Sequence, residues 1–368
     1  MRLAVFHDFF DKIDGGEKVA LTMARRFDAD LFTTNLRAEV VERIGAGNLR
    51  IHDLGPLVST PLLKQTHASW RFHNARVPDF DAYLFSGSWA HYAGGRHRPG
   101  VLYCYTPPRV LYGQRESMLQ DLPSWQRPLL RAWTQLYSRL DRRSVGRIRR
   151  VVADSENVRR RIRRSYGREA NVVYPPVATD RFEFRELGSF WLSVNRLYPE
   201  KRIHLQLDIF RQLPGETLVV AGGWAQGDPS VRYAQALKPP PNVQLLGEVS
   251  EAALADLYAR CRGLIATARD EDFGLTPLEA MAAGKAVMAT REGGYLETVQ
   301  EGKTGWLLPA DAGAFAAKIQ SLDDEDLLAM RDACEGRAGL FDEERFVARM
   351  RGILDDLVAS RSVGPMEA

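Results

Sequence analysis

The chain has 368 residues, 45% of them hydrophobic and 26% charged, with a net charge of +3. This is the make-up of a soluble globular protein too long for one ordinary core, so two domains are expected. No apolar run nears the roughly 18 residues of a membrane span, and Cys104, Cys261 and Cys334 are far apart without a CxxC pair, which argues against a disulfide or zinc framework and fits a reducing cytoplasm.

From Met1 to Asp8 the apolar core is too short for a signal peptide and reads as a first strand, Leu3–Phe6. Further strands are expected at Asp30–Thr33, Leu49–His52, Ala82–Ser86, Val101–Tyr105, Val151–Asp154 and Asn171–Tyr174. Helices such as Glu17–Phe27, Trp125–Val145 and Glu156–Tyr166 fall between them. Gly15-Gly16 after the first strand reads either as an ordinary tight turn or as a place where backbone approaches a ligand.

Arg127 to Arg168 holds fourteen arginines and no lysine, against Asp141, Asp154 and Glu156. Leu129, Trp133, Leu136 and Leu140 recur at helical spacing, while Arg127, Arg131, Arg139, Arg142 and Arg143 mostly face away. That pattern predicts an amphipathic helix whose leucines face the core, with docking on an anionic membrane as the functional alternative. Nucleic acid is not expected as a partner, because no reading motif accompanies the charge.

Pro175-Pro176 and the polar stretch Thr179–Ser189 read as a linker. A second series of strands follows at Phe190–Val194, Thr217–Ala221, Val243–Leu246, Gly263–Thr267, Ala286–Ala289 and Gly305–Leu308, with helices such as His204–Leu213 and Glu251–Cys261 between. Repeated β–α order implies parallel sheets covered on both faces. The expected architecture is therefore α/β: two doubly wound, Rossmann-like domains facing a central cleft. They span residues 1–182 and 187–340, and a helix at 341–358 packs back on the first.

The densest chemistry is Glu271-Asp272-Phe273-Gly274-Leu275-Thr276-Pro277-Leu278-Glu279, between an apolar strand and a helix expected from Leu278 to Ala283. A helix N-terminus suits a phosphate, and carboxylates beside it can take hydrogen bonds from sugar hydroxyls. Thr276-Pro277-Leu278-Glu279 also fits a capping box, which explains Glu279 without function and leaves Glu271 unexplained. Arg196 and Lys201 follow the first strand of the second domain, where two cations can neutralise a diphosphate. Glycine pairs at Gly222-Gly223 and Gly293-Gly294 suggest an edge open to a large ligand. Asp-x-Asp recurs at Asp28, Asp79 and Asp270, too often to mark a site, and no His, Cys and carboxylate set has metal-ligand spacing. No essential metal or other cofactor is expected.

Asn195–Lys201, Val243–Val249, Glu271–Gly284 and Gly293–Pro309 together resemble the retaining glycosyltransferases of family four, which have the GT-B fold. The first half is similar through His7-Asp8, Gly15–Val19, Ser86-Gly87-Ser88 and Tyr103–Arg109. Within that family the chain resembles bacterial mannosyltransferases of polysaccharide assembly. The resemblance implies hexose transfer with retention from a nucleotide sugar, first GDP-mannose and alternatively a UDP-sugar, to a saccharide or lipid-linked acceptor. It implies that Glu271 holds donor-sugar hydroxyls, Glu279 the ribose, and Arg196 and Lys201 the diphosphate. The backbone of Phe273, Gly274, Leu275 and Thr276 would approach sugar and phosphates. The turn of Gly247, Glu248 and Val249 would lie by the base, and Gly15 and Gly16 would admit diphosphate and acceptor. Loops around Trp224 and Arg291–Tyr295 would tune specificity.

Tyr105 departs from the family, which carries histidine there; a tyrosine donates hydrogen bonds but is a poor base near neutral pH. His91 is the expected spatial substitute. The rival readings are a nucleotide-sugar 2-epimerase and a sugar-nucleotide or glycan-binding subunit without catalysis. The expected setting is cytoplasmic, at the inner face of an anionic membrane.

Overall fold

The computed structural model describes residues 1–11, 15–37, 39–40, 49–60, 62–113, 123–223 and 231–362. Trp224, expected to tune specificity, lies outside them. The chain divides into a first unit of Met1–Pro175 with Phe346–Ala368, and a second of Pro176–Arg345.

The first unit is a seven-stranded parallel sheet in the order β3-β2-β1-β4-β5-β6-β7. Its strands are β1 (Leu3–Phe9), β2 (Asp30–Thr34), β3 (Ile51–Asp53), β4 (Ala82–Ser86), β5 (Gly100–Cys104), β6 (Arg150–Ala153) and β7 (Asn171–Val172). Side chains alternate between two cores, as a strand buried on both faces requires. Leu3, Val5, Leu84, Val101 and Tyr103 face helix α1 (Gly15–Arg26). Ala4, Phe6, Phe85, Leu102 and Cys104 face the other side, covered by α2 (Leu63–Asn74), α3 (Arg127–Gly146) and α4 (Glu156–Tyr166).

The second unit is a six-stranded sheet in the order β10-β9-β8-β11-β12-β13. Its strands are β8 (Phe190–Val194), β9 (Thr217–Ala221), β10 (Val243–Gly247), β11 (Gly263–Ala266), β12 (Val287–Thr290) and β13 (Gly305–Leu308). Trp191, Leu218, Val220, Ile265 and Met288 form one core with α5 (Ile203–Arg211). Helices α6 (Glu251–Arg260) and α7 (Leu275–Ala282) also belong to this unit. Within both sheets the strand order reverses once, between β1 and β4 and between β8 and β11, and such switch points are where ligands bind in open parallel sheets.

Three expectations are corrected: the domain boundary, the linker and the inward face of α3. The boundary falls at Pro175–Pro176 rather than near 182, and the supposed linker 179–189 packs on the second unit. Val177 N–H donates to Phe341 O at 2.8 Å, Arg185 N–H donates to Ala259 O at 3.1 Å, and Phe182 sits edge-on to Tyr258. The final helix, α8 (Glu343–Ser362), joins the first unit from Phe346 onward through Phe346, Val347, Met350, Leu354 and Leu357. Along α3 the core-facing residues are Leu130, Thr134, Tyr137, Asp141, Ser144 and Val145, while Leu129, Leu136 and Leu140 are exposed. Polar Asp141 and Ser144 turn inward with the stripe Leu130–Tyr137–Ser144: Asp141 accepts from Tyr112, and Ser144 donates to His91 O.

Candidate functional site

At the switch point of the second unit the loops after β8 and β11 are laced together. Buried Gln206 donates to Thr267 Oγ1 at 2.9 Å, and Thr267 in turn donates to Lys201 O at 2.9 Å. Arg269 N–H donates to Glu200 O at 2.7 Å. This frame brings Lys201 Nζ within 2.5 Å of Glu271 Oε2, with the side chains 25% and 18% exposed. Arg202, in the left-handed region at φ 52°, donates to Glu292 Oε1 at 2.8 Å. Arg196 lies over the Tyr198 ring, 5.7 Å from its centroid.

Glu271 is held from its other side by the Gly293-Gly294 turn. Gly294 N–H donates to Glu271 O at 2.8 Å. A Cβ on Gly294 would come within 2.4 Å of Phe273 backbone, and one on Gly293 within 2.5 Å of Glu271 O. These glycines let backbone pack on backbone. Gly222 is similar, since a Cβ there would meet Asn195 O at 2.1 Å. Tyr295 is buried beside Glu271, and burial followed by that carboxylate pushes its phenol far above the ordinary range.

Helix α7 starts at Leu275, with Gly274 as N-cap at φ 97° and no side-chain cap. The expected capping box on Thr276 is therefore absent, and the helix begins earlier because glycine tolerates this positive φ while bulkier residues do not. Freed from that role, Glu279 accepts a hydrogen bond from Tyr258 at 2.8 Å. Tyr258 is fully buried, and burial reinforced by Glu279 keeps its phenol protonated. Leu275 and Thr276 are half-buried in the first helical turn, whereas Phe273 turns inward against Phe341. Gly247 ends the edge strand β10, with Glu248 and Val249 following it, and β9 separates that strand from β8.

In the first unit, register pairs His7 of β1 with Ser86 of β4 at the switch point. His7 Nδ1 lies 3.1 Å from Ser86 Oγ, which lies 2.8 Å from Tyr105 Oη. Tyr105 donates to Gly16 O at 2.8 Å. With that proton committed, Ser86 donates to Tyr105 and accepts from the Nδ1–H of His7. His7 Nε2 lies 3.6 Å from Glu17 Oε1. Burial pushes the Tyr105 phenol well above its usual value, with Glu17, Asp154 and Asp8 adding to the effect against Ser86. Tyr105 thus stays a donor that ties down the turn at Gly15-Gly16. Just before Tyr105's partner Ser86 enters its turn, Asp8 accepts from the N–H groups of Ser88, Trp89 and Ala90 at 2.6 to 2.7 Å and pins the segment after β4.

His91 does not take the place of the missing histidine. Its ring is 1% exposed and sits 3.0 Å from the fully buried Asp141 of α3, sealed from any acceptor. Neither ring nitrogen makes a directed hydrogen bond there. His7, Tyr258 and Tyr295 were not assigned from sequence; their partners lie far away in the chain, and only strand register and helix packing bring them together. Among the described residues, no three His, Cys, Asp or Glu side chains are grouped to hold a metal ion, and no helix is long and apolar enough to cross a membrane.

Residues 179–338 match the family model described as glycosyl transferases group 1. A solved Anabaena protein, Alr3699/HepE in complex with UDP-glucose, superposes with a TM-score of 0.76 at 19% identity, covering 97% of this chain and all of that one. The sucrose-phosphate synthase of Thermosynechococcus elongatus gives 0.74 at 16% identity, over 98% of this chain and all of that one. The fold is thus GT-B, and the second unit carries a group 1 glycosyl transferase domain. Among curated sequences, the alpha-1,3/1,6-mannosyltransferase ALG2 of Dictyostelium discoideum is 31% identical over 48% of this chain and 46% of its own length. The glycogen synthase of Mycobacterium tuberculosis is 32% identical over 40% of this chain and 37% of its own. The chain therefore spans less than half the length of either relative.

Proposed function

We propose that this chain is a retaining hexosyltransferase that moves mannose from GDP-mannose to a saccharide or lipid-linked acceptor. The observation that carries the reading is the convergence at one switch point of Lys201 on Glu271, with Glu279 oriented by Tyr258 one helix away. In this reading Arg196 and Lys201 neutralise the diphosphate, so no resident metal or other cofactor is called for. The first turn of α7 adds its N–H groups and partial positive charge. Glu279 takes the ribose hydroxyls, and Glu271 holds the sugar. Gly247, Glu248 and Val249 flank the base, and Gly15 and Gly16 leave room for the acceptor.

The bond from the anomeric carbon to the diphosphate breaks while the acceptor oxygen bonds to that carbon from the same face. The departing diphosphate takes the acceptor proton. This scheme needs no protein base at Tyr105, which agrees with a phenol held protonated there. Mannose is favoured over glucose because the mannosyltransferase likeness rests on sequence, whereas the UDP-glucose complex shares only 19% identity. Three buried free cysteines suit a reducing, cytoplasmic setting.

The test is thermal stability with GDP, UDP, ADP and their hexose conjugates, with and without chelator. A ligand at a hundred times its Kd adds about 2.7 kcal/mol, several degrees in Tm. Stabilisation by the GDP series, lost in Lys201→Ala and Glu279→Ala, supports the donor site. A UDP response moves the reading to a UDP-sugar, and silence from every nucleotide overturns it. Product analysis without acceptor separates transfer from 2-epimerisation.

A further inference from the structure

Helix α3 carries an outward apolar stripe that the fold leaves uncovered. Leu129, Leu136 and Leu140 lie seven and eleven residues apart on one side of the helix and are 66%, 53% and 40% exposed. Helix α2 adds Leu63 and Trp70, two turns apart, with Trp70 59% exposed. The two helices touch at this side: Trp133 Nε1–H donates to Thr66 Oγ1 at 3.1 Å, and Tyr137, stacked on Trp133, lies against Ser69. Scattered single apolar residues are ordinary on a surface, but a stripe on adjoining helices marks a contact.

The charge around the stripe selects the partner. Arg139 and Arg143 are exposed beside the stripe on α3, Arg131 and Arg142 are exposed on its far side, and the helix's one carboxylate, Asp141, is fully buried. Helix α2 contains no acidic residue, while its Lys64 is paired with Asp11 and its Arg71 donates to Leu54 O, so the charge beside the stripe comes from α3. A protein partner would be matched by mixed charge; a single sign flanking leucines and a tryptophan complements an anionic bilayer interface, where rings and leucines enter the acyl boundary and arginines stay at the headgroups. We propose that the exposed α2–α3 face is a docking surface for anionic lipid. It deepens the proposed transferase by putting the first unit on the surface that would present a lipid-linked acceptor.

The test uses the full chain and vesicles, without donor, so its outcome is independent of nucleotide binding. Flotation is measured with phosphatidylcholine vesicles and with vesicles containing about a third phosphatidylglycerol. Binding is expected only to the anionic vesicles, with Trp emission shifted to the blue and the shift reduced in Trp70→Phe. The combined variant Leu129→Gln, Leu136→Gln, Leu140→Gln should lose at least about tenfold in partition, with an unchanged melting temperature because those side chains are exposed. Equal binding by that variant means adsorption by arginine alone and overturns insertion by the stripe. No binding to either vesicle overturns the proposal, and so does leucine-dependent dimerisation in light scattering, which would make the face an interface between copies.

Discussion

The two units use the same piece of topology for opposite chemistry. At the β8/β11 switch point of the second unit the groups are ions, Lys201 with Glu271 and Arg202 with Glu292. At the β1/β4 switch point of the first unit a phenol, a hydroxyl and an imidazole form a line from Gly16 through Tyr105 and Ser86 to His7, with the carboxylates of Glu17 and Asp8 beside it. Ions half-open to water can exchange partners when a charged ligand arrives. A buried hydrogen-bond network resists exchange, because each unpaired group would cost about 1 to 3 kcal/mol. The comparison assigns charge handling to the second unit and positioning to the first.

The largest effect should come from breaking the charged side. Lys201→Ala and Glu271→Ala should each lower kcat/KM by about a hundredfold or more in steady-state transfer assays, because each removes charge or orientation at the reacting centre. A loss under fivefold in both would remove the second unit's charges from the chemistry. Next comes the backbone packing beneath Glu271. Gly294→Ala places a Cβ 2.4 Å from Phe273 backbone, and should cost about 1 to 3 kcal/mol in urea unfolding while also displacing Glu271 and depressing turnover.

Two smaller effects sharpen the contrast. Tyr258→Phe leaves Glu279 without its 2.8 Å donor; the Kd for the nucleotide should rise about fivefold while that for its 2′,3′-dideoxy analogue stays put. Equal weakening of both would reduce Tyr258 to a packing residue. Tyr105→Phe removes the bond to Gly16 O and should lower activity only a few-fold. Because burial already holds that phenol protonated, the pH–rate profile should keep its shape up to pH 10; a lost limb would make Tyr105 the base after all.

Stability against pH is set partly by Lys285, whose buried ammonium donates to Glu186 O and has its pKa pushed down to about 8, chiefly by burial. The unfolded chain then holds more protons than the folded one from about pH 8 to the lysine's ordinary 10.5, so this group adds stability as pH rises through that window. Cys261, pushed up to about 12 by burial, acts oppositely above 9. The difference between wild type and Lys285→Met in chemical denaturation isolates the lysine: the wild type should gain on the variant from pH 8 upward.

Much of the fold was legible because buried parallel strands are continuous apolar runs, and each expected strand has its counterpart in the two sheets, with ends shifted by a few residues. The faces of α3 were not. Leu129, Leu136 and Leu140 have the same helical spacing as Leu130, Tyr137 and Asp141, so periodicity alone could not say which set turns inward. The start of α7 was misplaced because Thr276-Pro277 is a good opening, while Gly274 supplies a positive φ that sequence pattern does not reveal. Lys201 and Glu271 could be named singly, but their pairing is a product of two loops meeting. The His7–Ser86–Tyr105 line was out of reach, since its members are joined by strand register across 79 and 19 residues.

The last helix has a consequence for how the chain is made. Phe346, Val347, Met350, Leu354 and Leu357 complete a core whose other buried members lie before residue 174. During synthesis the first sheet therefore emerges with the part of one apolar face that α1 does not cover open, and it stays so while the whole second unit is translated. At ribosomal rates that interval is on the order of ten seconds or more. The nascent first sheet is a candidate client for holding chaperones. A premature stop anywhere in the second unit would release a first sheet with that part of the face still bare, so truncation there should produce aggregates rather than a soluble half-molecule.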